Sequence, residues 1–377
     1  MRQKNKRKKE GQSMKRRFIT ITITALVVAA ACGGSAGPTG QASPSAAPAG
    51  TAVAAATKPP RATVKVQVGS AASLLYLSWD LAKALGYFED ENLDVQLTYA
   101  SAGTAAATAL LSGSVDFTGN SLDHSIKAQL QGKPTKMVVS FAKDPGVALV
   151  VANSQKDKIK TIADLKGQKV GATGEGSGTH LLLVYALLKA GLKEGDYTFV
   201  ACGSGTMAAT LDSGGAVACM NSDPFVTAFV GAGKGFVLKD YRSEKDTKEL
   251  LGGDYQFTGA VTTQDFIQKS PDVVQRVVNA LVRANRFLAA TPPKDVAAKL
   301  PESVTGKDIE LYIKTLEAAK GYLSADGIID QKGVDNVLVV NVEDCKANSK
   351  LCGNVKPTDQ VDSKALFDNT FAARVKK

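Results

Sequence analysis

Apolar positions in this chain follow two periods that take turns along its length. At 64–68 valines alternate with Lys65 and Gln67, the two-residue period of a strand. A longer pattern at 77–86 has the spacing of an amphipathic helix. The alternation continues with strand 95–99, helix 104–111, strand 115–118, helix 122–130 and strand 137–141. The apolar run 147–152 reads as a strand leaving this first lobe. A second alternating set follows: a short helix at 162–167 closed by glycine, strand 169–172, helix 178–190, strand 198–201, helix 206–212, strand 216–220, helix 224–230 and strand 236–238. Strand 256–262 is the expected return path, and helices are predicted at 271–290, 305–319 and 332–340. Such alternation predicts an α/β fold with two lobes. The first is discontinuous, 63–152 with 254–377, around a continuous second lobe at 153–253.

The amino-terminal residues obey neither period. Lys15-Arg16-Arg17 precede an apolar stretch at 18–31 that ends in three alanines, followed by Cys32. A basic patch, a short apolar region and small residues before a cysteine predict a lipoprotein export signal over 1–31, with acylation of Cys32. An ordinary secretory signal beside a cysteine is the alternative, since Ala29 stands where a lipobox usually has leucine. The apolar stretch is shorter than the roughly 20 residues needed to cross a bilayer, so the lipid would be the anchor. Met1 and Met14 are alternative starts of translation, Met14 standing directly before the basic patch. Residues 32–62, almost all Ala, Gly, Pro, Ser and Thr, offer little to bury and predict a flexible tether.

The net charge of +10 then loses its apparent meaning. Residues 1–31 carry nine Lys or Arg and one acid, so +8 belongs to the signal and only +2 to the rest. No nucleic-acid partner is expected, and the remaining charges are scattered as on a solvated surface. Beyond Cys32 the cysteines are Cys202, Cys219, Cys345 and Cys352, an even number that suits an oxidising compartment. Candidate bridges are Cys345–Cys352, stapling a polar loop, and Cys202–Cys219, each after a short apolar run at the ends of adjacent strands. Free thiols are the alternative. With only His124 and His180 in the chain, no metal site is expected.

In open α/β sheets, ligands sit beyond the carboxyl ends of the strands. The segments predicted there are 70–73, 100–104, 119–121, 174–179, 203–206 and 221–224, all small, hydroxylic or glycine-rich. One such segment is explained by helix capping alone; six in two lobes describe a polar cleft. The candidate ligand-binding residues are Ser73, Ser101, Gly103, Thr104, Asn120, Ser121, Glu175, Ser177, Gly178, Thr179, Asn221, Ser222 and Asp223. Tyr76 and Trp79 stand at the mouth, either stacking on a planar ligand or packing at a helix start. His180 is a candidate contact or a cap, and His124 a weaker candidate. Neither histidine lies in a metalloprotease motif or beside an obvious nucleophile, and no phosphate-loop or dinucleotide signature occurs, so no cofactor is expected.

Three elements carry a family resemblance. The segment 82–89, AKALGYFE, with Leu93-Asp94-Val95 behind it, resembles the opening of solute-binding proteins of ABC importers in the nitrate, sulfonate, taurine and thiamine-pyrimidine-precursor group. Residues 111–117, LSGSVDF, resemble a second element, and 159–171, IKTIADLKGQKVG, resemble a third closely. The resemblance implies a two-lobed periplasmic-binding-protein fold, closing on a small molecule and delivering it to a permease and its ATPase. It also implies that the family's helix start maps to Ser177-Gly178-Thr179 and a second ligand segment to Ser222-Asp223-Pro224. Ser222 replaces an aromatic often found there.

The expected function is therefore non-enzymatic solute binding by an extracytoplasmic, lipid-anchored monomer. The cleft segments contain no Lys or Arg but include Glu175 and Asp223, with Asp123 one step on. That composition favours a neutral or weakly cationic, partly planar ligand such as a pyrimidine-like heterocycle, with a sulfonate or taurine second. The alternatives are a transporter-independent sensor, or a thiamine-pyrimidine synthase on the same fold. The resemblance ties that synthase to a substrate histidine and a cysteine-rich segment, for which no counterpart is found here.

Overall fold

The computed structural model describes residues 59–347 and 361–376. The signal, Cys32 and nearly all of the tether lie outside the described residues, as does Cys352 of the Cys345–Cys352 candidate pair.

The first sheet has the order β2-β1-β3-β10-β4, with β1 Ala62–Val68, β2 Leu93–Tyr99, β3 Phe117–Ser121, β4 Thr135–Ser140 and β10 Thr258–Thr263. β1 is parallel to β2 and β3, while β10 is antiparallel to β3 and β4. The second sheet repeats the plan in the order β7-β6-β8-β5-β9, with β5 Val147–Ala152, β6 Lys169–Ala172, β7 Thr198–Ala201, β8 Ala218–Ser222 and β9 Gly235–Tyr241. Here β6 is parallel to β7 and β8, and β5 is antiparallel to β8 and β9. Each sheet thus receives its antiparallel strand from a crossing segment of the chain.

One boundary differs from the sequence reading. β5, placed at the end of the first segment, stands inside the second sheet between β8 and β9. All six of its residues are buried, as expected of an apolar strand covered on both faces. The crossing therefore precedes Val147.

The helices are α1 Leu77–Ala84, α2 Tyr87–Asp90, α3 Gly103–Leu111, α4 Asp123–Leu130, α5 Gly178–Lys189, α6 Met207–Asp212, α7 Phe225–Gly231, α8 Glu244–Leu251, α9 Gln264–Lys269, α10 Pro271–Ala290, α11 Pro293–Ala297, α12 Glu302–Thr305, α13 Ile309–Ala319, α14 Gln331–Ala347 and α15 Thr370–Ala373. α10 opens with proline at its first position, where a missing N–H costs nothing. It packs against α1 and α2 and buries Val274, Val277, Val278, Leu281 and Leu288 along one stripe. α14 packs against both α5 and α4 and so touches helices of both sheets. Lys189 and Glu343 pair across the α5–α14 contact at 2.8 Å.

Trp79 is fully buried, with its ring 5.8 Å from Phe88, 6.1 Å from Phe117 and 6.3 Å from Phe141. It belongs to the core of the first lobe and not to the mouth of the cleft. Being on α1, it points towards the sheet, where aromatic burial stabilises most.

Candidate functional site

The carboxyl ends of the parallel strands in both sheets converge on one place. After β1, Ser73 caps a turn by accepting from the Leu75 N–H; after β6, Ser177 caps α5 by accepting from the His180 N–H at 3.3 Å. On the third strand of each sheet an Asn-Ser pair recurs. Asn120 donates to the Gly103 carbonyl at 2.8 Å and accepts from the Ser121 N–H at 2.9 Å. Asn221 donates to the Cys202 carbonyl at 3.1 Å and accepts from the Ser222 N–H at 2.9 Å. The two asparagines are buried and brace the loops beneath the cleft, so their side chains shape the floor instead of meeting solute.

Of the sequence candidates, Ser73, Tyr76, Gly103, Ser121, Ser177, Gly178, Thr179 and Ser222 line a single central space. Thr173, Ser204, Leu75 and Phe257 line it too. Thr173 closes the hydroxyl cluster, with its Oγ1 2.7 Å from that of Thr179 and 3.1 Å from the Ser177 Oγ. Its position just past β6 was a usable signal. Phe257, just before the antiparallel β10, had none.

The cleft is shut. Ser73 and Ser222 share a hydrogen bond at 2.9 Å, the Leu74 N–H donates to the Asp223 carbonyl at 3.0 Å, Thr104 donates to the Glu175 carbonyl at 2.8 Å and Lys127 to the Gly176 carbonyl at 2.8 Å. Each bond joins one lobe to the other. The space left inside is about 20 Å³, room for about one water. Each of the four bonds is worth about 1 kcal/mol net, because opening returns both partners to water.

Several candidates stand elsewhere. Ser101, Thr104 and Glu175 are exposed at the rim, and Glu175 offers its carbonyl. Asp223 is buried, but its carboxylate accepts from the Thr227 hydroxyl at 2.7 Å and N–H at 3.0 Å and pairs with Arg242 at 3.2 Å. Burial disfavours the Arg242 charge, but Asp240 and Asp223 outweigh it and hold the guanidinium protonated. This acid is therefore already matched, which a buried carboxylate requires. Arg242 and Lys127 are cations that the cleft segments themselves do not contain; Lys127 sits on α4 and Arg242 directly follows β9.

His180 accepts from the Gly176 N–H on Nδ1 at 2.9 Å and packs 4.2 Å from the Phe199 ring. Burial lowers its pKa to about 4, helped by Lys127. It holds the loop before α5 and does not line the central space. His124 is 8% exposed, and its pKa is also lowered to about 4 by burial.

Cys202 and Cys219 form a disulfide with Cα atoms 6.2 Å apart. The two strands involved are not neighbours. β6 lies between them, and the bridge passes over Gly171, where a Cβ would stand 2.5 Å from the Cys202 sulfur.

A family model described as NMT1/THI5 like matches residues 79–295. The riboflavin-binding protein RibY of Chloroflexus aurantiacus is 25% identical over 313 residues, covering 81% of this chain and 84% of that protein. A solved protein from Bordetella bronchiseptica RB50 superposes with a TM-score of 0.77 at 28% identity, covering 84% of this chain and 97% of its own. The alkanesulfonate-binding protein SsuA from Xanthomonas axonopodis pv. citri gives a TM-score of 0.65 at 20% identity, covering 81% and 99%, a likeness of fold. The chain spans 63% of the length of a 4-amino-5-hydroxymethyl-2-methylpyrimidine phosphate synthase of Saccharomyces cerevisiae, at 24% identity over 229 residues and 57% of this chain.

Proposed function

The chain belongs to the NMT1/THI5-like family, and from that premise we propose that it is the extracytoplasmic solute-binding lipoprotein of an ABC importer, anchored through Cys32. The observation that carries this reading is the cleft itself, whose hydroxyls and backbone donors come from both lobes and meet across it. A solute bound there stabilises the closed form by touching both lobes at once, and a permease that recognises the closed form imports only loaded protein. The movable bodies of this proposal are the two sheets with their helices, crossing near 141–146 and 252–257.

The ligand we favour is a neutral planar heterocycle. Tyr76 and Phe257 supply aromatic faces, and Ser73, Ser121, Thr173, Ser177 and Thr179 supply hydrogen bonds at its edges. A cationic ligand loses its support once Asp223 is matched by Arg242. The riboflavin-binding relative agrees with a heterocycle. A sulfonate is the second reading, favoured by the N-terminus of the 12-residue α5 opening onto the same space. A synthase is disfavoured because His180 serves the loop before α5 and Cys202 and Cys219 are tied to each other.

A thermal-shift screen of heterocycles, flavins, sulfonates, taurine and nitrate tests the proposal. Ligand at 100 times Kd stabilises by about 2.7 kcal/mol. A saturable shift with a heterocycle and none with sulfonates is the expected result. The reverse pattern would select the sulfonate reading, and turnover of a bound pyrimidine precursor would replace binding by catalysis.

A further inference from the structure

A cavity of about 440 Å³ lies on the crossing segments, away from the cleft. Asp144 comes from the first crossing and Asp254 from the second; Glu244 on α8 and Asp326 and Asp330 ahead of α14 complete its wall. Five carboxylates thus face two lysines, Lys143 and Lys248.

Four of the five carboxylates have partners. Lys248 pairs with Glu244 at 2.6 Å and Asp254 at 3.0 Å; Asp326 accepts from the Ile328 N–H at 3.0 Å and Asp330 from the Gly333 N–H at 2.8 Å. Asp144 is 4% exposed and has no hydrogen bond or ion pair among the described residues. A carboxylate held beside Glu244 and Asp254 with no cation of its own is unfavourable unless something pairs with it. Its acidity is pushed to about 6 by burial and then by Glu244 and Asp254, against Lys248 and Lys143.

We propose that this hinge cavity binds a small organic polyamine, with an ammonium group on Asp144 and a second near Asp326 and Asp330. Three observations select this class. No group of three carboxylates among the described residues is close enough to hold a metal ion, whereas an organic cation with separated ammonium groups suits carboxylates spread along the wall. Ile328 and Ile329 give the cavity an apolar wall suited to a methylene chain. Its volume falls in the range of small-molecule sites. Because both crossing segments line the cavity, an occupant there touches the parts of the chain that bend when the lobes move.

Isothermal titration of the full chain with spermidine at pH 7.5 is the test, with Mg²⁺ as competitor and Asp144→Asn as the variant. The expected result is one spermidine per chain, displaced poorly by Mg²⁺. Affinity should fall at least tenfold in Asp144→Asn, which without spermidine should melt at or above the temperature of the parent, since it removes a buried charge that costs stability at this pH. Affinity should fall likewise for the parent at pH 5, where Asp144 takes up a proton. Failure to bind spermidine, equal binding by Asp144→Asn, or equal displacement by Mg²⁺ would overturn the proposal. Spermidine held in the cleft would appear as equal binding by the variant, so the outcome is separate from the identity of the cleft ligand.

Discussion

At Gly178 the missing side chain is what allows the two lobes to meet. A Cβ there would lie 2.5 Å from the Ser121 Oγ and 2.9 Å from the Phe257 ring, both across the cleft. The backbone is helical and strains nothing, so Gly178→Ala should leave each lobe folded but hold them apart. We expect a ligand affinity at least tenfold weaker in calorimetry with little loss of thermal stability; unchanged affinity would show that closure does not pass through this contact. Residues of this scale were only partly legible in the sequence. Ser177, Gly178 and Thr179 could be placed because helix starts after strands are recognisable from type and order alone. Trp79 could not, since an aromatic on the first helix past a strand faces the sheet or the cleft according to a rotation of the helix that tertiary packing decides. Arg242 was invisible because its pairing with Asp223 joins two loop positions 19 apart, one after β8 and one after β9.

Elements were easier to read than side chains, and their errors have local causes. Helix 305–319 begins only at Ile309, as α13: Thr305 ends the separate α12, and Gly306 follows with a φ of +70° that a right-handed helix does not accommodate. α8 was missed although Ser243 caps it and Gly252 ends it in the left-handed region; its charged sequence hid an apolar stripe of few residues. Helix 332–340 runs on to Ala347 because α5 and α4 support residues with weak intrinsic preference. β6 deserves a test at this scale, because the disulfide bridges its two neighbours over Gly171. A Cβ at 171 would also stand 2.7 Å from the Val200 carbonyl. Gly171→Ala is therefore expected to destabilise by about 1–3 kcal/mol, the usual cost of overpacking, read as a lower denaturant midpoint. Cys202→Ser destabilises by itself through loss of the bridge, so the strain is read from a double-mutant cycle: the combined loss should be smaller than the sum of the two separate ones, and full additivity would place the strain at Val200 alone.

For the whole molecule, pH enters through groups held in their neutral form. His124 and His180 have pKa values lowered to about 4 by burial, against about 6.5 in an unfolded chain. Below pH 6.5 the unfolded chain takes up protons that the folded one refuses, so their contribution is complete above pH 6.5 and is lost as pH falls towards 4. Asp144 acts in the opposite sense, costing stability as pH rises through about 6. Imidazole resonances of both histidines are expected to stay at their neutral positions from pH 7.5 to 5; titration near 6.5 would contradict their burial. The late return of β10 to the first sheet has a different kind of consequence. The second sheet is complete within one continuous stretch, from Val147 to Tyr241, whereas the first waits for β10, which ends at Thr263. On a chain delivered amino end first across a membrane, the later half of the molecule is therefore finished before the earlier half, and the first four strands to emerge remain an unsealed sheet until the second lobe has formed.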